Sequence, residues 1–154
     1  MRQRQTTLNN GLRIVTAEMP DSYSLTASIS VGTGSRYERY HKNGGVSHLL
    51  EHLLFKGTKR YPSSELISQT IAGVGGTTNA FTTADATSYY IKVPARHRQL
   101  PLKILADMVS HSLLVPKDIN RERSVVVEEM NIWRDDPARF ITTMVPELLF
   151  PDNP

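Results

Sequence analysis

The run His48-Leu49-Leu50-Glu51-His52 puts two imidazoles and a carboxylate within five residues. At about 100° per residue on a helix, His48 and His52 lie about 40° apart on one face, with Glu51 about 60° to the other side of His48. That face offers two nitrogen donors to a metal. A catalytic zinc takes three protein ligands and keeps an open position for water, and two histidines with a glutamate are a familiar set. Glu51 is too close in the chain to both histidines to join them easily as a ligand, yet it is well placed to take a proton from the water. Zinc lowers the pKa of that water to about 7, so hydroxide is available at neutral pH and a carboxylate can carry its proton to the departing amine. The competing reading is a pair of partly buried histidines hydrogen-bonded to backbone in a leucine-rich helix. A third ligand decides between the two.

Cysteine is absent, so any zinc must be held by histidine and carboxylate. The segment from Asp118 to Arg134 reads as a long helix on which Ile119, Val126, Met130 and Trp133 form a stripe at the spacing of a buried face. Glu122 and Glu129 lie on that stripe, about 20° out of register with each other, whereas Glu128 points about 100° away from Glu129. Burying a carboxylate costs several kcal/mol unless it is paired or bound to a metal. Two acids on a buried stripe therefore call for a cation. Glu129 as third ligand, with Glu122 as a supporting acid that orients a histidine, answers that demand. Alternatively, Glu122 pairs with Arg36, Arg121 or Arg123.

The elements that must position these residues are legible from punctuation and periodicity. Asn9-Asn10-Gly11 between Thr6-Thr7-Leu8 and Leu12-Arg13-Ile14-Val15 is a hairpin signal. Leu25 to Val31 alternates as a strand and closes on the turn Gly32-Thr33-Gly34. Gly44-Gly45 opens a helix from Val46 to Phe55, stopped by Gly57, and Ser63-Ser64 caps a second helix that runs to Gly73-Val74-Gly75-Gly76. Thr77–Thr83 and Thr87–Val93 read as strands, Leu100–Leu114 as a helix, Asp118 as the cap of the long helix, and Pro137 as the start of another. A meander of strands with long helices between them predicts an α+β fold, a mostly antiparallel twisted sheet with helices packed on one face.

The length of 154 residues is that of one globular domain. The net charge of +3 is spread along the chain, which removes nucleic acid as the default partner. No stretch approaches the roughly 20 apolar residues of a membrane span, and no apolar signal core opens the chain, so a soluble, cytoplasmic protein is expected. The two glycine clusters lack the Lys-Ser/Thr ending of a phosphate loop and the third glycine of a dinucleotide fingerprint, and read as turns. His41, His97 and His111 have no ligand spacing and read as surface residues, His111 near a helix C-terminus. Lys56 to Arg60 reads as a solvated face. Phe150-Pro151-Asp152-Asn153-Pro154 reads as a cut rather than a finished end.

The order His-x-x-Glu-His is the inverzincin pattern. With it stand Leu8-Asn9-Asn10-Gly11-Leu12, Gly32-Thr33-Gly34-Ser35-Arg36, Phe55-Lys56-Gly57-Thr58, Asn79-Ala80-Phe81-Thr82, and Glu122-Arg123 through Glu128-Glu129-Met130. On these residues the sequence resembles the pitrilysin, insulysin and mitochondrial-processing-peptidase family over almost its whole length, nearest the bacterial processing-peptidase-like members. In that family the third ligand follows the second histidine at about the distance that separates Glu129 from His52, here 77 positions.

The resemblance implies an N-terminal catalytic zinc-binding domain over residues 1–154, truncated relative to the family. It implies Zn2+ held by His48, His52 and Glu129, with Glu51 as base and Glu122 in support. It also implies cleavage of short or unfolded peptides, aligned by strand addition along Asn79, Ala80 and Phe81, although by itself that segment reads equally as an ordinary strand. A second half-domain follows in the family, and a partner domain or homodimer supplies an Arg and a Tyr to the substrate. The other function compatible with the resemblance is a non-catalytic peptide-binding or scaffold subunit, a class that typically loses a motif residue. None is lost here.

Overall fold

The computed structural model describes residues 1–149, apart from the side chains of Tyr40, His41, Thr143, Pro146 and Glu147. The readings made for His41 and for the chain end at 150–154 lie outside it. Strands β1 (Arg2–Thr7), β2 (Arg13–Glu18) and β3 (Ser24–Val31) come first, then helices α1 (Tyr40–Asn43), α2 (Val46–Leu54) and α3 (Ser64–Ala72). Strands β4 (Thr77–Thr82) and β5 (Thr87–Pro94) follow, and α4 (Gln99–His111), α5 (Pro116–Asp135) and α6 (Pro137–Leu149) complete the order. The fold is α+β, as the pattern of elements predicts. No helix among the described residues is long and apolar enough to cross a membrane.

The sheet departs from a meander. β5 is the central strand, flanked by β3 and β4 in the order β3-β5-β4 with antiparallel pairing throughout. β4 and β5 form a hairpin, and β3 reaches over β4 in sequence to pair with β5. Burial accompanies that position: Tyr89, Ile91 and Val93 alternate on one face of β5 and are almost fully buried, whereas β3 and β4 on either side are partly exposed. The β1–β2 hairpin forms where Asn9-Asn10-Gly11 predicts it, with Thr7 opposite Arg13, but as a separate two-stranded sheet exposed along both strands.

Helices α2, α3 and α4 cover the apolar face of the three-stranded sheet. Leu54, Ile67, Ile71, Ile104, Leu105 and Met108 meet Tyr89, Ile91 and Val93 in one cluster, and each such side chain contributes about 1.5–3 kcal/mol on full burial. The glycine clusters are turns. Gly34 lies so close to the β4–β5 turn that a Cβ there would sit 2.1 Å from the carbonyl oxygen of Thr83. Helix α4 stops at His111, short of the predicted Leu114. The backbone after it is taken by a bridge to the segment following α2, with Leu113 N–H donating to Gly57 O (3.1 Å) and Lys59 N–H to His111 O (3.0 Å). Helix α5 begins at Pro116, so Asp118 falls in its first turn and Val115 takes the cap position without a side-chain hydrogen bond.

The bridge is fastened by Asp107. Its carboxylate accepts from the fully buried Thr58 hydroxyl and from Arg60 N–H (3.2 Å), and it faces His111 Nδ1 at 3.3 Å. The Thr58 hydrogen bond, then that of Arg60 N–H and the charges of His111 and Arg60, hold the Asp107 carboxyl below its ordinary value against the opposing effect of burial. A depressed folded-state pKa gives stability that is present above the unfolded value, about 3.9, and is lost as pH falls through the folded one. Asp107→Ala is expected to cost about 1–3 kcal/mol at pH 7, with the gap from wild type narrowing below about pH 4. Urea unfolding at pH 7 and pH 3 checks this, and a gap constant across that range would rule out the ionised carboxylate as its source.

Candidate metal centre

Helix α2 starts without a Ser, Thr, Asp or Asn cap. Its N-cap is Gly45, in the left-handed conformation at φ +82°, where a glycine carries no Cβ penalty. The free amides are taken from a distance. Glu38, buried, accepts Gly45 N–H at 2.5 Å and Ser47 N–H at 2.6 Å. Its negative charge at the positive end of the helix adds to the two hydrogen bonds. Sequence reasoning passed over Glu38; the available signal was a helix opening on Gly-Gly with no capping side chain of its own.

The structure brings His48 and His52 together with Glu129 of α5. Their donor atoms are mutually close: His48 Nε2 to His52 Nε2 is 3.3 Å, and each Nε2 lies 3.6 Å from Glu129 Oε2. Around a tetrahedral zinc with ligands at about 2.1 Å, donor atoms are about 3.4 Å apart. The three residues therefore have the spacing of three corners of such a site, which leaves the fourth corner for water. Two nitrogens and a carboxylate oxygen suit zinc better than the all-oxygen preference of calcium or magnesium. Among the described residues this is the one group of three acid or histidine side chains with metal-ligand spacing.

Glu122 is nearly inaccessible to solvent and stands behind His52, with Oε2 3.3 Å from Nδ1 while Oε1 accepts from Lys56 Nζ at 2.7 Å. A carboxylate on the far nitrogen fixes the tautomer that leaves Nε2 free as a donor. Burial alone pushes the Glu122 carboxyl up, but Lys56, as hydrogen-bond donor and as charge, and then His52 outweigh it and hold the group below its ordinary value. The partner of Glu122 is thus neither Arg36, which pairs with Asp85 at 3.1 Å, nor Arg121 or Arg123. The reading of Lys56 as solvated is corrected: one turn beyond His52, it reaches back to a buried acid. His111 is exposed, as expected, and His97 is partly buried, accepting from Arg96 Nε at 3.1 Å.

Glu51 points to the sheet. Its Oε2 accepts from Thr82 Oγ1 at 2.5 Å, and its charge adds to burial, the larger cause, in pushing the Tyr89 hydroxyl up to about 12. Asn79, Ala80 and Phe81 lie just before Thr82 on β4, an edge strand in the three-stranded sheet. Phe81 is half exposed, and Ala80 N–H donates to Asn79 Oδ1 at 2.9 Å. The buried stripe of α5 is shorter than predicted. Glu122 and Val126 are buried and Ile119 and Glu129 partly so, but Met130 and Trp133, beyond the contacts of His48 and His52 with Glu129, are each 48% exposed.

The model of the family described as insulinase (peptidase family M16) matches residues 13–154. The chain is 40% identical over 150 residues to an uncharacterized zinc protease of Streptomyces coelicolor, covering 97% of this chain and 32% of that protein. It is 39% identical over 127 residues to a probable mitochondrial-processing peptidase subunit beta of Arabidopsis thaliana, covering 82% of this chain and 24% of that one. The crystal structure of a protease from Helicobacter pylori superimposes with a TM-score of 0.84 at 31% identity, over 90% of this chain and 33% of that one. The chain spans about a third of the length of the first of these relatives.

Proposed function

This chain belongs to the insulinase family of peptidases, family M16, and from that premise we propose that it is the metal-binding part of a zinc-dependent endopeptidase acting on short or unfolded peptides. The observation that carries the reading is the set of donor distances among His48, His52 and Glu129, 3.3, 3.6 and 3.6 Å. When bound, zinc acts as a Lewis acid and supplies a nucleophilic water at neutral pH. His48, His52 and Glu129 hold it. Glu51, through the oxygen that Thr82 does not engage, takes the proton of the attacking water and delivers it to the amide nitrogen as the peptide bond breaks. Glu122 orients His52, and Lys56 balances the Glu122 charge. Asn79, Ala80 and Phe81 align the peptide by adding it as a strand to the edge of β4. The remainder of the substrate-binding machinery belongs to a second half-domain and to a partner domain or second copy.

The test is metal removal. The full-length protein, stripped with 1,10-phenanthroline and dialysed, is expected to lose cleavage of an internally quenched unfolded peptide and to regain it with about one zinc per chain. Elemental analysis and fluorescence follow the two together. Cleavage that persists in protein free of zinc overturns the proposal.

A further inference from the structure

We infer that Thr82 is a positioning residue for the base, holding Glu51 in register with the strand that aligns the peptide. The inference rests on the catalytic reading of Glu51 above. Thr82 Oγ1 donates to Glu51 Oε2 at 2.5 Å, from strand β4 to helix α2, and among the described residues it is the hydrogen-bond partner of that carboxylate. A charge-assisted hydrogen bond of this length is of the strong kind. It leaves one carboxylate oxygen occupied and one free, so the side chain presents a single oxygen for proton transfer.

The anchor itself is well held. Thr82 is partly buried and stands opposite Thr87 in the register of β4 with β5. Thr87 is buried, and its hydroxyl donates to Thr33 O at 3.0 Å, which fastens this end of the hairpin to the exit of β3. On the other side, Glu51 sits on a helix whose start is held by Glu38. The Thr82 hydroxyl therefore joins two rigid elements. It lies next to Phe81 in the chain, so the base takes its position from the same strand as the peptide. A mispositioned base loses rate rather than affinity, because proton transfer requires hydrogen-bond reach of about 2.6–3.2 Å.

The experiment compares Thr82→Val, Thr82→Ser and Glu51→Gln in the zinc-loaded full-length protein, with an internally quenched peptide as substrate. Zinc content and thermal midpoint are measured on each variant. Thr82→Val is expected to lower kcat roughly 10- to 100-fold with KM little changed, at wild-type zinc content and midpoint. Thr82→Ser, which keeps the hydroxyl, is expected to restore most of kcat. Three results would overturn the inference while leaving the peptidase reading intact: wild-type kcat in Thr82→Val, no recovery in Thr82→Ser, or a loss in Thr82→Val that follows lost zinc or a lowered midpoint. Wild-type cleavage by Glu51→Gln sinks both the inference and the reading beneath it.

Discussion

Glu51→Gln in the full-length protein is expected to cut peptide cleavage by roughly 10²- to 10⁴-fold, the usual contribution of a positioned acid–base group, while zinc stays bound. The carboxamide has nearly the shape of the carboxylate, and its oxygen still accepts the Thr82 hydroxyl, so α2 and the strand it meets are left in place. What is lost is the capacity to take a proton. Since Glu51 is not among the three residues whose donor atoms converge, zinc stoichiometry should be that of wild type. Steady-state cleavage and elemental analysis on the same preparation make the comparison. Full activity in this variant would remove Glu51 from the mechanism, and lost zinc would recast it as a ligand.

The second large effect is expected at Glu129. Histidine binds a metal through its neutral imidazole, so of the three converging residues Glu129 is the one whose side chain can bring a negative charge to the ion. Glu129→Gln keeps an oxygen in reach but removes that charge. Loss of an orienting residue behind a ligand typically costs 10- to 100-fold in metal affinity, so a ligand should cost about 100-fold or more. Glu122→Gln, acting through His52, should fall within the lower range. Competition for zinc against a chromophoric chelator measures both. Equal losses in the two variants would remove the distinction between holding the ion and orienting a holder.

Local rules carried the reading of the sequence wherever the cause was local. The hairpin at Asn9-Asn10-Gly11, the start of α3 at Ser63 and the shared face of His48 and His52 each depend on residues within a few positions. Glu129 was reachable because it shares a helical stripe with Glu122, but the burial argument holds for Glu122 alone: the Glu129 side chain is 40% exposed. The features that escaped have distant partners. Lys56 looked solvated until α5 placed Glu122 beside it, Glu38 caps a helix from seven residues away, and Thr82 meets Glu51 only through tertiary packing. The central position of β5 and the early end of α4 likewise come from competition among remote backbone partners. Met130 and Trp133 show the limit of periodicity: spacing assigns a face to a helix but does not say how far along it a neighbour extends.

The edge of β4 has a bearing on solubility. A strand edge open to a peptide is also open to the same edge of another molecule, and unprotected edges are routes to aggregation. In this protein the Ala80 amide is turned onto the side chain of Asn79, at 2.9 Å, instead of standing bare. An incoming strand has to displace that amide–carboxamide contact before it can pair there, at a net cost of about 1 kcal/mol. The same small local hydrogen bond thus gives this stretch of the β4 edge a partner of its own.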